Sequence, residues 1–311
     1  MSFNFNWPFY SFLILPYARL ELPAWGRLMR AFGVYRNDLW ARAPQLEVRG
    51  KYHGYVMSLD ASDQSDRTSY FLGRYYDLAT QLYMREVVCP GDTFVDVGAN
   101  IGMLTMLAAR LVGPEGRVIS FEPNADVYCR LRAHVQRNQL ENVSLNPIGL
   151  SDAPATLTLK VWAKNKGWGT FGTLSSEEQS LLTAEYQSHV CRGDEMLNIS
   201  TGTPVMIKID VEGFECHVLR GLGGTLRTHK PTVITELIPS TLRRAGSSPE
   251  ELFEIMLSHG YQAYAMDVMR KYLRYKLRLT AISAGDEVTS TNLVWLHPDS
   301  LHFKITRSAF N

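Results

Sequence analysis

The chain is expected to fold as an α/β protein around a doubly wound, mostly parallel sheet with an antiparallel edge. Three observations predict this. From residue 92 onward, short β-branched runs alternate with helical stretches of about ten residues, the rhythm of right-handed βαβ units. The first of these runs, Thr93–Val97, opens directly into a glycine loop and a helix. Near the end, Tyr272–Leu279 and Asn292–Leu296 read as strands with no helix between them, so they are expected to pair antiparallel.

The elements follow in order. Residues 1–54 are rich in aromatics and arginine without a sustained period, and are expected to form an irregular or helical extension ahead of a domain spanning 55–311. Tyr55, Met57 and Leu59 fit one face of a strand, and Tyr70–Val88 fits a single helix. Thr93–Val97 is the first strand of the regular pattern, followed by a helix over Met103–Leu111 that Gly113-Pro114-Glu115-Gly116 ends. Arg117–Phe121, Val143–Leu150, Val205–Ile209, Thr232–Glu236 and Tyr261–Ala265 are the next strands. Helices over Asp126–Asn138, Phe214–Leu222 and Glu250–Ser258 separate them. Residues 162–194 break the rhythm. They lie beside the strand-order switch, where such sheets bind ligands, and are expected to be an ordered substrate loop or lid in which Trp168 could stack on a sugar or ring.

Composition narrows the function classes. At 45% apolar and 20% charged residues, the chain is an ordinary globular one. Its formal charge of +1 offers no basic excess for a phosphate backbone, so nucleic acid is not the expected partner. Cys89, Cys129, Cys191 and Cys216 form no CxxC pair, which points to a reducing cytoplasm rather than to a zinc site or disulfides. Trp7–Ala18 is apolar but too short to span a bilayer and lacks a basic leader. It is expected to pack on the domain or on a second subunit of a homodimer, with a weak interfacial membrane contact as the alternative.

The loop Asp96-Val97-Gly98-Ala99-Asn100-Ile101-Gly102 carries the first chemistry. Gly98 permits a tight turn or positive φ, and Gly102 a close helix start. Asp96 suits a ligand bearing an ammonium group and poorly suits a pyrophosphate. Glu122, ending the second strand, can accept both hydroxyl hydrogens of a ribose. The same features leave an NAD-dependent oxidoreductase as an alternative, opposed by Asn100 where a second fingerprint glycine would fall. A non-catalytic nucleoside-binding module is the other.

Four segments in this order resemble the successive motifs of FkbM-family methyltransferases. They are Asp96–Gly102, Phe121-Glu122-Pro123, Leu150-Ser151-Asp152 and Ile207-Lys208-Ile209-Asp210-Val211-Glu212-Gly213-Phe214-Glu215. The similarity extends over roughly residues 55–297, with Tyr70-Phe71-Leu72-Gly73 upstream and Thr291-Asn292-Leu293 near the end. The resemblance implies a class I, Rossmann-like fold of seven strands in the order 3-2-1-4-5-7-6, the seventh antiparallel. It also implies S-adenosylmethionine as cofactor. By the same resemblance Asp96 and the backbone of Gly98, Ala99, Asn100 and Gly102 hold the methionine part, and Glu122 beside Pro123 holds the ribose. Ser151 and Asp152 would meet the adenine, Asp152 accepting from its amino group.

The reactive end is expected at the tips of the fourth and fifth strands. Asp210, Glu212 and Glu236 are the candidate catalytic carboxylates, with Asp210 also near the cofactor. They would accept or orient a substrate proton, or hold a hard cation such as Mg²⁺. Glu215 reads equally well as a first-turn helix acid. His217 is expected to face away, His134 and His229 to lie on the surface, and Lys208 to reach the pocket mouth or pair with a carboxylate. No Asn/Asp-Pro-Pro-aromatic segment follows the fourth strand, and family members are mostly hydroxyl methylators. O-methylation of a small molecule, sugar or natural product is therefore the expected activity.

Overall fold

The computed structural model describes residues 7–162, 165–272, 274–286 and 291–310. The extension begins with a 3-10 helix, Phe9–Ile14, that runs into helix Leu15–Arg19, and helices Trp25–Ala31 and Asn37–Trp40 follow. Strands β1 (Gln45–Arg49) and β2 (Val56–Asp60) pair antiparallel, so one hairpin straddles residue 54. Met57 and Leu59 point into the core, as the alternation predicts. The buried Trp40 ring meets Trp7, Phe12 and Phe71. The Arg67 guanidinium, fully buried, donates to the carbonyls of Val34 and Ala61 and to Asn37 Oδ1. Together these fasten the extension to helix Gln64–Leu72. The single helix expected over Tyr70–Val88 is two. Gly73, at φ 66°, ends the first, and Asp77 caps Leu78–Val87 by accepting from the Thr80 N–H.

The first strands of the main sheet are β3 (Thr93–Val97), β4 (Arg117–Phe121) and β5 (Val143–Asn146). The expected strand Val143–Leu150 is divided. Its second half is β6 (Gly149–Ser151), which leaves for a smaller sheet with β7 (Ala155–Trp162), β8 (Asn165–Thr170) and β9 (Leu182–Arg192), in the order β6-β9-β7-β8. The segment expected to be a loop or lid is thus largely strand, with a short helix Ser176–Ser180 whose start is held by a Ser175/Glu178 capping box. The side chain of Trp168 lies outside the described residues.

The main sheet continues with β10 (Val205–Ile209), β11 (Thr232–Glu236), β12 (Gln262–Lys271), β13 (Arg274–Ile282) and β14 (Asn292–Leu296). Its order is β13-β12-β14-β11-β10-β3-β4-β5. β5, β4, β3, β10 and β11 are parallel, and β14 runs antiparallel between β11 and β12. With β13 set aside, the seven remaining strands have the expected order, and β13 adds an eighth at the edge. The expected pairing of Tyr272–Leu279 with Asn292–Leu296 does not occur: β13 pairs with β12. The reason lies in their side chains. β14 is buried at every residue and needs a neighbour on each side, whereas β13 alternates exposed and half-buried residues and suits an edge. Among the described residues, no helix is long and apolar enough to cross a membrane.

Candidate active site

A cavity of about 670 Å³ opens at the carboxyl ends of β3, β4, β10 and β11, where loops expose backbone donors and acceptors. Ligand sites commonly enclose about 300–1,000 Å³, so this space is large enough for a nucleoside-sized cofactor and part of an acceptor. Its floor is the loop after β3. Gly98 sits at φ 79°, and a Cβ there would fall 1.9 Å from the Asp210 carbonyl oxygen. The Gly98 and Ala99 N–H groups both donate to the Phe121 carbonyl at 3.0 Å, tying the loop to β4. Asn100 is at φ 51°. Gly102 does not border the cavity. Its bare Cα lets the loop approach helix Ala125–Arg137, where a Cβ would meet Leu131 Cδ1 at 2.5 Å.

Asp96 borders the cavity but is 2% exposed, and its Oδ2 accepts from the Thr105 hydroxyl at 2.6 Å. Burial pushes its carboxyl up to about 6 against that hydrogen bond. Glu122 is better placed. Its Oε2 accepts from the Asn100 N–H and its Oε1 from the Asn124 N–H, each at 2.8 Å. Each oxygen keeps a second acceptor position, matching the two hydroxyls of a ribose. Burial raises this carboxyl to about 7, and Pro123 and Asn124 line the cavity beside it.

These donors and acceptors fit the cofactor that the resemblance implies. Glu122→Ala should weaken cofactor binding by about 1–3 kcal/mol through the lost charged hydrogen bonds. Isothermal calorimetry with S-adenosylhomocysteine checks this, and wild-type affinity in the variant removes the ribose role. Ser151 and Asp152 are not brought to the cavity. Ser151 is buried and donates to Asp152 Oδ1 at 3.0 Å, while Asp152 is exposed. The turn of β6 into the second sheet carries both away, and Gly149 and Leu150 line the cavity in their place.

The structure does assemble the three candidate catalytic carboxylates. One oxygen each from Asp210, Glu212 and Glu236 lies within 4.8 Å of the others. Lys208, 1% exposed, places its ammonium 3.1 Å from Asp210 and donates to Asn292 Oδ1 at 3.3 Å. Asn292 Nδ2 in turn donates to Asp77 at 3.0 Å, so this residue of the Thr291-Asn292-Leu293 segment braces the lysine. Burial, and then the charge of Asp210, hold the carboxyls of Glu212 and Glu236 well above their ordinary range. Among the described residues, Glu236 Oε2 is buried without a hydrogen-bond partner.

Glu212 itself sits at φ 53° in a turn that Glu215 secures, its Oε1 accepting from the Val211 and Gly213 N–H groups at 3.2 Å. Glu215 is buried and does not border the cavity, so it shapes the turn from behind.

Several contributors escape a reading of the chain by motif. Tyr75 and Tyr76 reach the same rim with hydroxyls 3.2 Å apart, and burial near Asp210 raises both phenols. Trp162, Phe171, Phe214 and Arg244 form the opposite wall. Arg244 lies over the Trp162 ring at 5.4 Å and pairs with Glu178 of the short helix. Aromatic walls facing a charged rim were recognisable as residue types only, because the second sheet brings them together. His217 stacks on Phe214 at 4.0 Å, outside the cavity lining. His134 is not a surface residue. It is buried, donates from Nδ1 to the Ile101 carbonyl at 2.8 Å, and accepts at Nε2 from the Ser58 N–H at 3.0 Å.

Sheet order, glycine loop and clustered carboxylates define an α/β protein with a nucleoside-sized cavity at its strand tips. Residues 96–263 match the methyltransferase FkbM domain, and the chain belongs to that family. It is similar to Methyltransferase 1 of Beauveria bassiana, 28% identical over 188 residues that cover 55% of this chain and 71% of that protein. It is 37% identical to a stretch of the AMB antimetabolite synthetase AmbE of Pseudomonas aeruginosa, covering 58% of this chain but only 10% of AmbE. The hexuronic acid methyltransferase AglP of Haloferax volcanii is 27% identical over 166 residues, 53% of this chain and 61% of AglP. The chain thus spans less than two thirds of both AmbE and AglP. A solved FkbM methyltransferase from Methylobacillus flagellatus aligns with 88% of this chain and 60% of its own, at 14% identity and a TM-score of 0.39. The chain is an S-adenosylmethionine-dependent methyltransferase, and the oxidoreductase alternative is not favoured.

Proposed function

We propose that the enzyme methylates a hydroxyl oxygen of a small molecule or saccharide, with Glu236 as the proton acceptor. The observation that carries this reading is Glu236 Oε2, buried on the cavity wall with no partner among the described residues. The cofactor, when bound, supplies an electrophilic methyl on a sulfonium. Glu122 and the Gly98–Asn100 backbone fix its position, leaving Asp210, Glu212 and Glu236 on the acceptor side. Asp210 is paired with Lys208 at 3.1 Å, and we assign it to orienting the acceptor. The Lys208 ammonium in the same cavity favours the ionised form of Glu236, which would take the hydroxyl proton.

Trp162, Phe171 and Leu181 line the acceptor side, where exclusion of water protects the transfer. We assign residues 1–54 to an arm and 55–311 to the catalytic domain. The name of AglP is consistent with a sugar acceptor. The cysteines, free among the described residues, suit a reducing cytoplasm.

The same three oxygens offer a second use, as ligands of a divalent cation. Lys208 already provides a positive charge there, and we favour the metal-independent reading. The test is a screen of hydroxyl and amine acceptors with carbon-13-labelled methyl donor, before and after exhaustive EDTA treatment. An ether methyl carbon by NMR and undiminished turnover are expected. An N-methyl product removes the oxygen assignment, and loss of activity restored by Mg²⁺ removes the metal-independent one.

A further inference from the structure

The active-site end of the molecule carries a surface that the methyl transfer does not use. β12 runs in the same direction as β11, because both are antiparallel to β14, and Ala265 stands level with Thr235 through Leu293. β14 pairs with β12 only from Gln262 to Ala265, whereas β13 follows β12 to Lys271. Six further residues at about 3.3 Å each carry this two-stranded ribbon about 20 Å past the sheet edge that holds the cavity.

The ribbon's tip is joined to the N-terminal arm. Arg270 donates from Nη2 to the Glu21 carbonyl and from Nε to the Tyr272 carbonyl, and Trp25 Nε1 donates to the Tyr275 hydroxyl at 3.3 Å. One guanidinium therefore holds the turn bearing Leu20 against the tip bearing Tyr272.

Two properties of this joined tip are unusual for a solvated surface. Phe9, Leu13, Pro16 and Leu20 recur at helical spacing and face outward, while Ser11, Ile14 and Ala18 occupy the buried face. Leu13 is 79% exposed, Leu20 69% and Tyr272 87%. Around them the charge is one-sided. Arg274, Lys276 and Arg278 alternate along the exposed face of β13, and Lys271 lies directly opposite Arg274. Arg27 and Arg30 add exposed cations from the arm. Of the nearby acids, Asp267 sits opposite Arg278, and Glu21 is buried between Arg74 and Lys51. The chain as a whole carries +1, so this excess belongs to the tip.

We propose that this tip docks the enzyme on a bilayer surface containing anionic lipid, with the cavity end toward the membrane. Protruding Leu and aromatic side chains enter the headgroup boundary while the surrounding Lys and Arg meet negative headgroups. A second copy of the chain is a poorer occupant, since a two-fold contact would set this cationic row against itself. A phosphate backbone leaves Leu13 and Leu20 without a partner. The two kinds of side chain are satisfied together only at a charged lipid interface.

Vesicle flotation of the full chain tests this, with phosphatidylcholine alone and with a third of the lipid replaced by phosphatidylserine. Binding to the anionic vesicles, weakened by high salt, is the expected result. Leu13→Asp/Leu20→Asp should lower that binding by about tenfold or more, and Lys271→Glu/Arg274→Glu by at least as much, since each basic residue accounts for about fivefold. Both variants alter exposed side chains and should keep wild-type melting and S-adenosylhomocysteine affinity, which separates lost docking from lost folding. Equal flotation with the two vesicle types, or wild-type flotation by both variants, overturns the proposal. So does a dimer, seen by sedimentation, that the leucine variant converts to monomer without altering vesicle binding.

Discussion

Glu236→Gln should reduce turnover about 100- to 10,000-fold, the range a positioned proton acceptor contributes, while leaving S-adenosylhomocysteine affinity near wild type. The amide keeps the size of the carboxyl but has no basic oxygen. Burial and the neighbouring Asp210 hold the Glu236 carboxyl above its ordinary range, so the proton-accepting form grows as pH rises. Wild-type turnover should accordingly climb on the alkaline side, and that limb should vanish in the variant. Glu212 and Lys208 face the same group, so the profile reports the cluster rather than one residue. Asp210→Asn should also slow turnover and spare cofactor binding, because it breaks the ion pair with Lys208. Steady-state kinetics across pH decide between the roles. An unchanged profile in Glu236→Gln returns the residue to a structural part.

Gly98→Ala should be the most damaging change in the cofactor loop, costing about 3–5 kcal/mol of stability or preventing folding. Two effects act together. The residue sits at φ 79°, and its new methyl would overlap the Asp210 carbonyl, a backbone atom next to an N–H that donates to Val97 O at 3.0 Å. Neither strand can move without breaking the β3–β10 ladder. Gly102→Ala is the control. It shares the positive φ, at 92°, but its methyl meets the end of the Leu131 side chain rather than backbone, so the loss should be smaller. Urea denaturation of both variants measures the difference, and equal midpoints would mean that the loop has room to shift.

Much of this site was legible because its parts are local. A strand, a glycine loop and a helix follow within 20 residues, so Asp96, Gly98 and Glu122 could be placed by spacing alone. The acids at the tips of β10 and β11 were legible for the same reason, since adjacent parallel strands must bring their ends together. What stayed hidden depended on contacts distant in sequence. Asp152 follows the third strand in the chain, but β6 leaves the main sheet after Asn146 and takes that residue with it. The polar stretch before Arg192 did alternate: Ala184, Tyr186, Ser188 and Val190 turn inward while Glu185, Gln187 and His189 face solvent. Its polar residues on both faces obscured a period of two. The pairing of β13 was misjudged because a missing helix suggests adjacency, whereas the continuous burial of β14 decides it. Nothing in the spacing of Tyr75 and Tyr76 set them apart from packing aromatics.

The acid rim also has a consequence for how the catalyst clears itself between cycles. A bound donor would bring a positive charge to the rim of Asp210, Glu212 and Glu236, and its by-product would not. Glu212 and Glu236, whose carboxyls burial holds above their ordinary range, would ionise more readily beside such a charge than without it. The acid rim's own contribution to binding would therefore favour a charged donor over its neutral by-product.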